Sequence, residues 1–285
     1  MSAEPVVTIL MSTYGRRDYL PTALASVCAQ TFRDWRLLVV NDGGPDVADL
    51  IAACPDDRIA YFNRPHLGKA AQMNFLMPKV TGKYVAYMDD DDEMLPNHLA
   101  CLVGAAEENA AEFVYSDLKR RFIGPDGRVL RESVPASPDV GYEDLRIFNS
   151  IGHPQILHTK ALADRVGPYD ERFRILIDFD YIKRLTRQAR PFHVHQVTYL
   201  YLIRVRSASV DDTNSVSGLW RNDPAAAGRT LLAFFEKDPE ALARLYRMCD
   251  ALRGERDYMA NSPYWKLTAP LRGLVHFLKR IARRR

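Results

Sequence analysis

Four consecutive carboxylates, Asp89-Asp90-Asp91-Asp92, follow the run Tyr84-Val85-Ala86-Tyr87-Met88 and precede Pro96. The run reads as a strand, and the proline as the opening of a helix, where a fixed φ and a missing N–H cost nothing. Carboxylates this close repel one another, so they are either dispersed into water as an acidic turn or held near a cation. A hard divalent ion, Mg2+ or Mn2+, suits an all-oxygen set, and open α/β sheets bind ligands at the carboxyl ends of their strands. A further carboxylate, Asp178, stands at the head of the helical stripe Phe179, Ile182 and Leu185. It is either a helix N-cap or a reactive acid presented by a helix start. His153, His158, His193 and His195 lack the C-x-x-C and H-E-x-x-H spacings of zinc sites. His193-Val194-His195 projects both rings to one side of a strand and reads as a structural or surface pair rather than a metal site.

The elements that must position these groups alternate in type. Val6 to Met11 is a buried strand, Tyr19 to Gln30 a helix with an apolar stripe, Trp35 to Val40 a second strand, Val47 to Ala53 a helix, and Arg58 to Phe62 a third strand. Such β-α-β-α-β order predicts a mostly parallel sheet flanked by helices. A helix from Gly68 to Lys79, another from Pro96 to Asn109, a strand at Phe113 to Asp117 and a hairpin turning at Pro125-Asp126-Gly127 follow. The chain from Tyr142 to Ile156 is less regular, and Lys160 to Val166 is a short helix. Gly43-Gly44 lacks the third glycine of a dinucleotide fingerprint, and no phosphate loop of the G-x-x-x-x-G-K-[ST] type is present.

The 285 residues, 47% hydrophobic and 26% charged, suit one globular protein with a large core. The net charge of +3 hides an asymmetry, because Arg272 to Arg285 hold six Lys or Arg and no acid, so that the rest carries about −3. Without a basic face on the body of the chain, nucleic acid is not an expected partner. Cys28, Cys54, Cys101 and Cys249 lie far apart and read as reduced thiols. No segment is long enough to span a bilayer and no basic leader precedes an apolar run, so the expected location is cytoplasmic.

Val7 to Met11 with Ser12-Thr13-Tyr14, Val39-Val40-Asn41-Asp42-Gly43-Gly44, Gly68 to Asn74, and Tyr87-Met88-Asp89-Asp90-Asp91-Asp92 together resemble the inverting glycosyltransferases of family 2. The resemblance covers residues 5–210. It implies the nucleotide-diphospho-sugar fold called GT-A, with a catalytic domain over residues 1–210 and a helical C-terminal extension over residues 211–285. Ser12, Thr13 and Tyr14 would line the nucleotide site and Asp42 would contact the base. Asp89 or Asp90 would take the ribose side, and Asp91 would bind Mn2+ or Mg2+. Asp178 matches the general base, although Ile177 replaces the glutamate that precedes it in the family. His153 falls in the acceptor-side segment, and Arg206, with Arg204 as its alternate, matches a basic residue near the diphosphate. Two further departures are Asn41, in place of an acid, and Met73, in place of an arginine whose charge Lys69 would partly supply.

The implied reaction moves a sugar from a nucleotide-diphospho-sugar to a hydroxyl of a glycan, lipid-linked or other glycoconjugate acceptor, with inversion. A catalytically degenerate sugar-nucleotide-binding module and a metal-dependent nucleotidyltransferase are the alternatives. Residues 219–237 and 239–249 read as helices that pack on the catalytic domain or form a homo-oligomer contact. Leu267, Leu271, Leu274, Leu278 and Ile281 form an amphipathic stripe with a basic flank. It packs on its own domain or meets an anionic membrane surface, which would make the protein peripheral at the inner face.

Overall fold

The computed structural model describes residues 4–135, 138–146, 150–173 and 176–204, together with Asp238 and Glu240. In chain order the elements are β1 (Val7–Thr13), α1 (Leu20–Cys28), β2 (Trp35–Asp42), α2 (Ala48–Ala52), β3 (Ile59–Arg64), α3 (Lys69–Leu76), β4 (Tyr84–Asp89), β5 (Glu93–Met94), α4 (His98–Glu108), β6 (Phe113–Ile123), β7 (Val129–Ser133), α5 (Tyr142–Leu145), β8 (Ile156–Thr159), α6 (Lys160–Val166), α7 (Ile177–Gln188) and β9 (Phe192–Arg204). Expectations for Arg206, Cys249, the helices beyond residue 210 and the basic C-terminal stripe lie outside the described residues. Among the described residues, no helix is long and apolar enough to cross a membrane.

The strands form one sheet in the order β3-β2-β1-β4-β8-β6-β9-β5, with β7 paired to β6. Residues Val7 to Met11 are all buried, the pattern of a strand covered on both faces. The β3, β2, β1 and β4 strands run parallel, as the β-α alternation predicts. Beyond them β8 lies antiparallel to both β4 and β6, so the sheet is mixed. Only four residues long and antiparallel to its neighbours, β8 needs no helical crossover to enter.

Helices cover both faces. Leu20, Ala23, Leu24 and Val27 of α1 and Leu99, Leu102, Val103 and Ala106 of α4 share a core with Val7, Ile9 and Met11. Ala70, Met73 and Leu76 of α3, Leu162 of α6, and Tyr181, Ile182 and Leu185 of α7 pack on the other face, against Leu10, Val40 and Tyr87. Each buried Leu or Val contributes about 1.5–3 kcal/mol. Pro96 lies in the turn before α4 rather than inside it, and its carbonyl accepts Thr31 N–H at 2.8 Å. Cys28 and Cys54, distant in sequence, meet with their sulfurs 3.2 Å apart as free thiols. Burial and the Cys54 neighbour push the Cys28 thiol up to about 12.

Candidate active site

Three parallel strands end side by side. Ser12 is in register with Val40 and Asp89, and Thr13 with Asn41, so the ends of β1, β2 and β4 open on one crevice. Tyr14, 54% exposed, stacks on His66 with ring centroids 4.4 Å apart, a flat face beside the end of β2. Asp42 is buried there, and its Oδ1 accepts Leu67 N–H at 2.8 Å and the Gln72 amide. Gly68 N–H reaches Oδ2 at 3.1 Å, and His66 Nδ1 lies 3.0 Å from the same oxygen. The carboxylate therefore sits at the N-terminus of α3, where anions are favoured.

Asn41 explains its own departure from an acid. Its Nδ2 donates toward Gly44 O at 3.1 Å, Pro45 O at 3.2 Å and Asn63 Oδ1 at 3.2 Å. A carboxylate would face those three oxygens with no N–H to offer. Gly43 has φ 79, and a Cβ on it would collide with the His66 backbone, so this turn fits only glycine and brings His66 under Tyr14.

The acidic run divides by direction. Asp89, ending β4, accepts the Lys69 ammonium at 2.7 Å. Arg16 Nη1 bridges Asp90 Oδ1 at 2.9 Å and Asp91 Oδ2 at 2.8 Å. Asp92 turns inward, where its Oδ1 accepts Leu202 N–H at 2.8 Å and joins the loop to β9. Near the end of that strand Arg204 donates to Asp91 O at 2.7 Å and stacks on Tyr19. Burial raises the Asp91 carboxyl to about 6, with Arg16 opposing and Asp89 and Asp90 adding to the rise. Burial also raises Asp90 despite Arg16, and pushes Asp92 well above the carboxylate range, helped by Asp89 and Asp91. For Asp89, burial acts upward but Lys69 outweighs it and holds the group below its ordinary value. Arg16, Lys69 and Arg204 are the cations that answer this loop, and burial disfavours charge on Asp90, Asp91 and Asp92.

Asp178 reaches this crevice from a segment well beyond the acidic run in sequence. Leu176, with φ 61 and ψ 20, is the N-cap of α7, and Asp178 lies inside the first turn, accepting Phe179 N–H at 2.8 Å. The capping alternative is therefore corrected: the left-handed turn at Leu176 launches the helix and costs about 1–2 kcal/mol. Burial raises the Asp178 carboxyl, opposed first by the positive charge of Lys69. Lys69 is itself pulled down by burial, but Asp89, Asp178 and Asp90 prevail and raise it. One ammonium thus serves carboxylates from β4 and α7.

Beneath this pair His153 is 2% exposed and stacked on Tyr87 at 3.7 Å, with Nε2 2.9 Å from the Tyr169 hydroxyl. Burial and then Lys69 hold it well below the usual imidazole range, so it is neutral. Asn74 ties α3 to the segment before α7, accepting Tyr169 N–H at 2.7 Å and donating to Tyr169 O at 3.0 Å. Met73, the next residue back, is 1% exposed in the core and cannot reach a diphosphate.

The family model described as glycosyl transferase family 2 matches residues 8–166, more than half of the chain. The chain belongs to that family. The uncharacterized glycosyltransferase RT0329 of Rickettsia typhi is 26% identical over 223 residues, 74% of this chain and 67% of that protein. Among solved structures, TarS 1-349 of S. aureus in complex with UDP-GlcNAc has a TM-score of 0.58 at 16% identity, covering 80% of this chain and 71% of that one. The mannosyltransferase PcManGT of Pyrobaculum calidifontis, in complex with GDP-Man and Mn2+, has a TM-score of 0.60 at 15% identity, covering 96% and 86%. These two likenesses establish that the family 2 member has the GT-A fold.

Of the residues singled out by sequence, the glycosyltransferase fold gathers Ser12, Thr13, Tyr14, Asp42, Lys69, Asp89, Asp90, Asp91 and Asp178 around the strand ends, with His153 below them. Arg16 and Arg204 complete the charge pattern. Arg16 carries a signal in hindsight: it follows Tyr14 by two residues on the β1–α1 loop, facing four acids that need cations. Asp42→Asn is expected to lower the unfolding midpoint, because a charge-assisted acceptor at the head of α3 is weakened. If Asp42 also meets the donor's base, donor affinity falls roughly 5- to 150-fold, a cost of about 1–3 kcal/mol. Calorimetric donor titration beside a urea melt separates the two, and unchanged affinity with lowered stability removes the base contact.

Proposed function

We propose that this glycosyltransferase moves a sugar from a nucleotide-diphospho-sugar to a hydroxyl of a glycan or glycoconjugate, with inversion at the anomeric carbon. The observation that carries this reading is the meeting of Asp178 and the Asp89–Asp91 loop around Lys69. A hydroxyl nucleophile needs a base on one side of the sugar and charge compensation for the leaving diphosphate on the other. Asp178 takes the acceptor's proton as the new C–O bond forms and the bond to the diphosphate breaks. Its raised pKa makes it a stronger base than an ordinary aspartate. Tyr14 and His66 offer the base a stacking face, and Asp89 or Asp90 takes the ribose hydroxyls.

The carboxylate oxygens of Asp91 and Asp89 suit a hard divalent cation, whose charge would offset the burial that raises Asp91. Asp91, with Asp89 beside it, would hold Mn2+ or Mg2+, which when bound neutralises charge on the diphosphate. PcManGT's complex with GDP-Man and Mn2+, and TarS's with UDP-GlcNAc, support a sugar nucleotide as donor class. Incubation with UDP- and GDP-linked sugars, Mn2+ and a panel of glycan acceptors tests the reading by product analysis. A glycoside of inverted configuration is the expected product. Pyrophosphate release would instead indicate nucleotidyl transfer, and binding without turnover across the panel a sugar-nucleotide-binding module.

A further inference from the structure

We propose that Asp139, His193 and His195 form a second cation site, of zinc type, separate from the carboxylate loop. His193 Nδ1 lies 2.9 Å and His195 Nε2 3.2 Å from Asp139 Oδ1, and the three ligand atoms all fall within 4.8 Å of one another. Tetrahedral zinc, with ligands at about 2.0–2.2 Å, sets its donor atoms about 3.3 Å apart. The two edges that meet at Asp139 Oδ1 are therefore already close to those of one face of such a tetrahedron. Two imidazole nitrogens and one carboxylate oxygen suit zinc better than Mg2+ or Mn2+.

The surroundings hold the ligands in place. His193, with a side chain only 3% exposed, has its Nε2 2.9 Å from Asp117 Oδ1. A neutral imidazole that donates there turns the lone pair of Nδ1 toward Asp139 Oδ1, an arrangement that a cation between them stabilises. The carboxylate behind a ligating histidine is a recurrent support for bound zinc. Tyr115 stacks on His193 at 4.4 Å and 8°. Its hydroxyl donates to Pro138 O at 3.0 Å and accepts Val140 N–H at 3.1 Å, fixing the residues on both sides of Asp139.

The backbone contributes a bulge. Ser116 pairs with Val194 but Asp117 with Val197, so His195 and Gln196 fall outside the β6–β9 ladder. This irregularity leaves the His195 ring 4.0 Å from that of His193. The exposed side chains of Asp139 and His195 border a cleft of about 920 Å³, lined also by Gln188, Arg190 and Phe192, which leaves the fourth position open to water or an anionic ligand. In the sheet, β9 is three strands from β4, about 14 Å at the usual strand spacing. The expectation that the histidine pair is merely structural did not include Asp139, which a loop brings to it from another part of the chain.

Zinc titration of the full chain, stripped with chelator and carrying no affinity tag, tests the proposal. One equivalent of Zn2+ should bind with Mn2+ present in excess. His195→Ala and Asp139→Asn, both at exposed positions, should each weaken it at least tenfold, and Asp117→Asn by roughly 10–100-fold. Asp91→Asn should leave zinc binding unchanged. Substoichiometric zinc, zinc indifferent to His195→Ala and Asp139→Asn, or zinc lost only with Asp91→Asn would each overturn the site.

Discussion

Asp178→Asn is expected to bind donor like the parent while transfer at saturating donor and acceptor falls by roughly 10²–10⁴. Asparagine keeps the size and one acceptor oxygen for Phe179 N–H but has no basic electron pair. The position of Asp178 inside α7 sharpens this test, because Leu176 occupies the N-cap and the carboxylate is not needed to start the helix. Thermal unfolding should therefore change little. The pH profile supplies a second readout: burial raises Asp178, so the acid limb of the parent's rate should lie above the ordinary carboxylate value of about 4. Single-turnover transfer near the parental rate would remove Asp178 from the chemistry.

Lys69→Met should lower transfer by roughly 10²–10³, the effect of deleting one preorganised charge beside a reacting group. Methionine fills much of the same volume, so the loss would be chiefly electrostatic. Lys69 opposes the rise of the Asp178 carboxyl, and without it that carboxyl rises further. The acid limb of the rate should accordingly move to higher pH, a shift that a purely structural lysine would not produce.

Stability should respond with the opposite dependence. Despite burial, Lys69 keeps Asp89 below its ordinary value, so Asp89 contributes stability above the unfolded carboxylate pKa of about 4 and loses it as pH falls through the depressed folded value. The parent should exceed Lys69→Met in urea melts at pH 7, and the difference should shrink toward pH 3. Equal turnover and equal melts across that range would refute the bridging role.

Local patterns carried much of this fold. A fully apolar β1, the stripe of α7, the Pro-Asp-Gly turn between β6 and β7, and an acidic run closing β4 are all written in neighbouring residues, because strand and helix periods act over a few positions. Together they located the strand ends that form the crevice, and the motif spacing pointed to the family. Side-chain partners were not legible in this way.

Asp91 and Asp92 are adjacent and identical in type, yet Asp91 faces Arg16 while Asp92 is buried against Leu202 N–H. Which acid meets which cation depends on segments from β1, α3, α7 and β9 closing over separations as large as the 113 residues between Arg204 and Asp91. Packing sets Leu67 and Gly68 N–H against Asp42, and Tyr115 holds the segment of Asp139 beside His193. Periodicity determined the elements; charge pairing and burial, which depend on distances in space, were decided only when the sheet brought remote segments together.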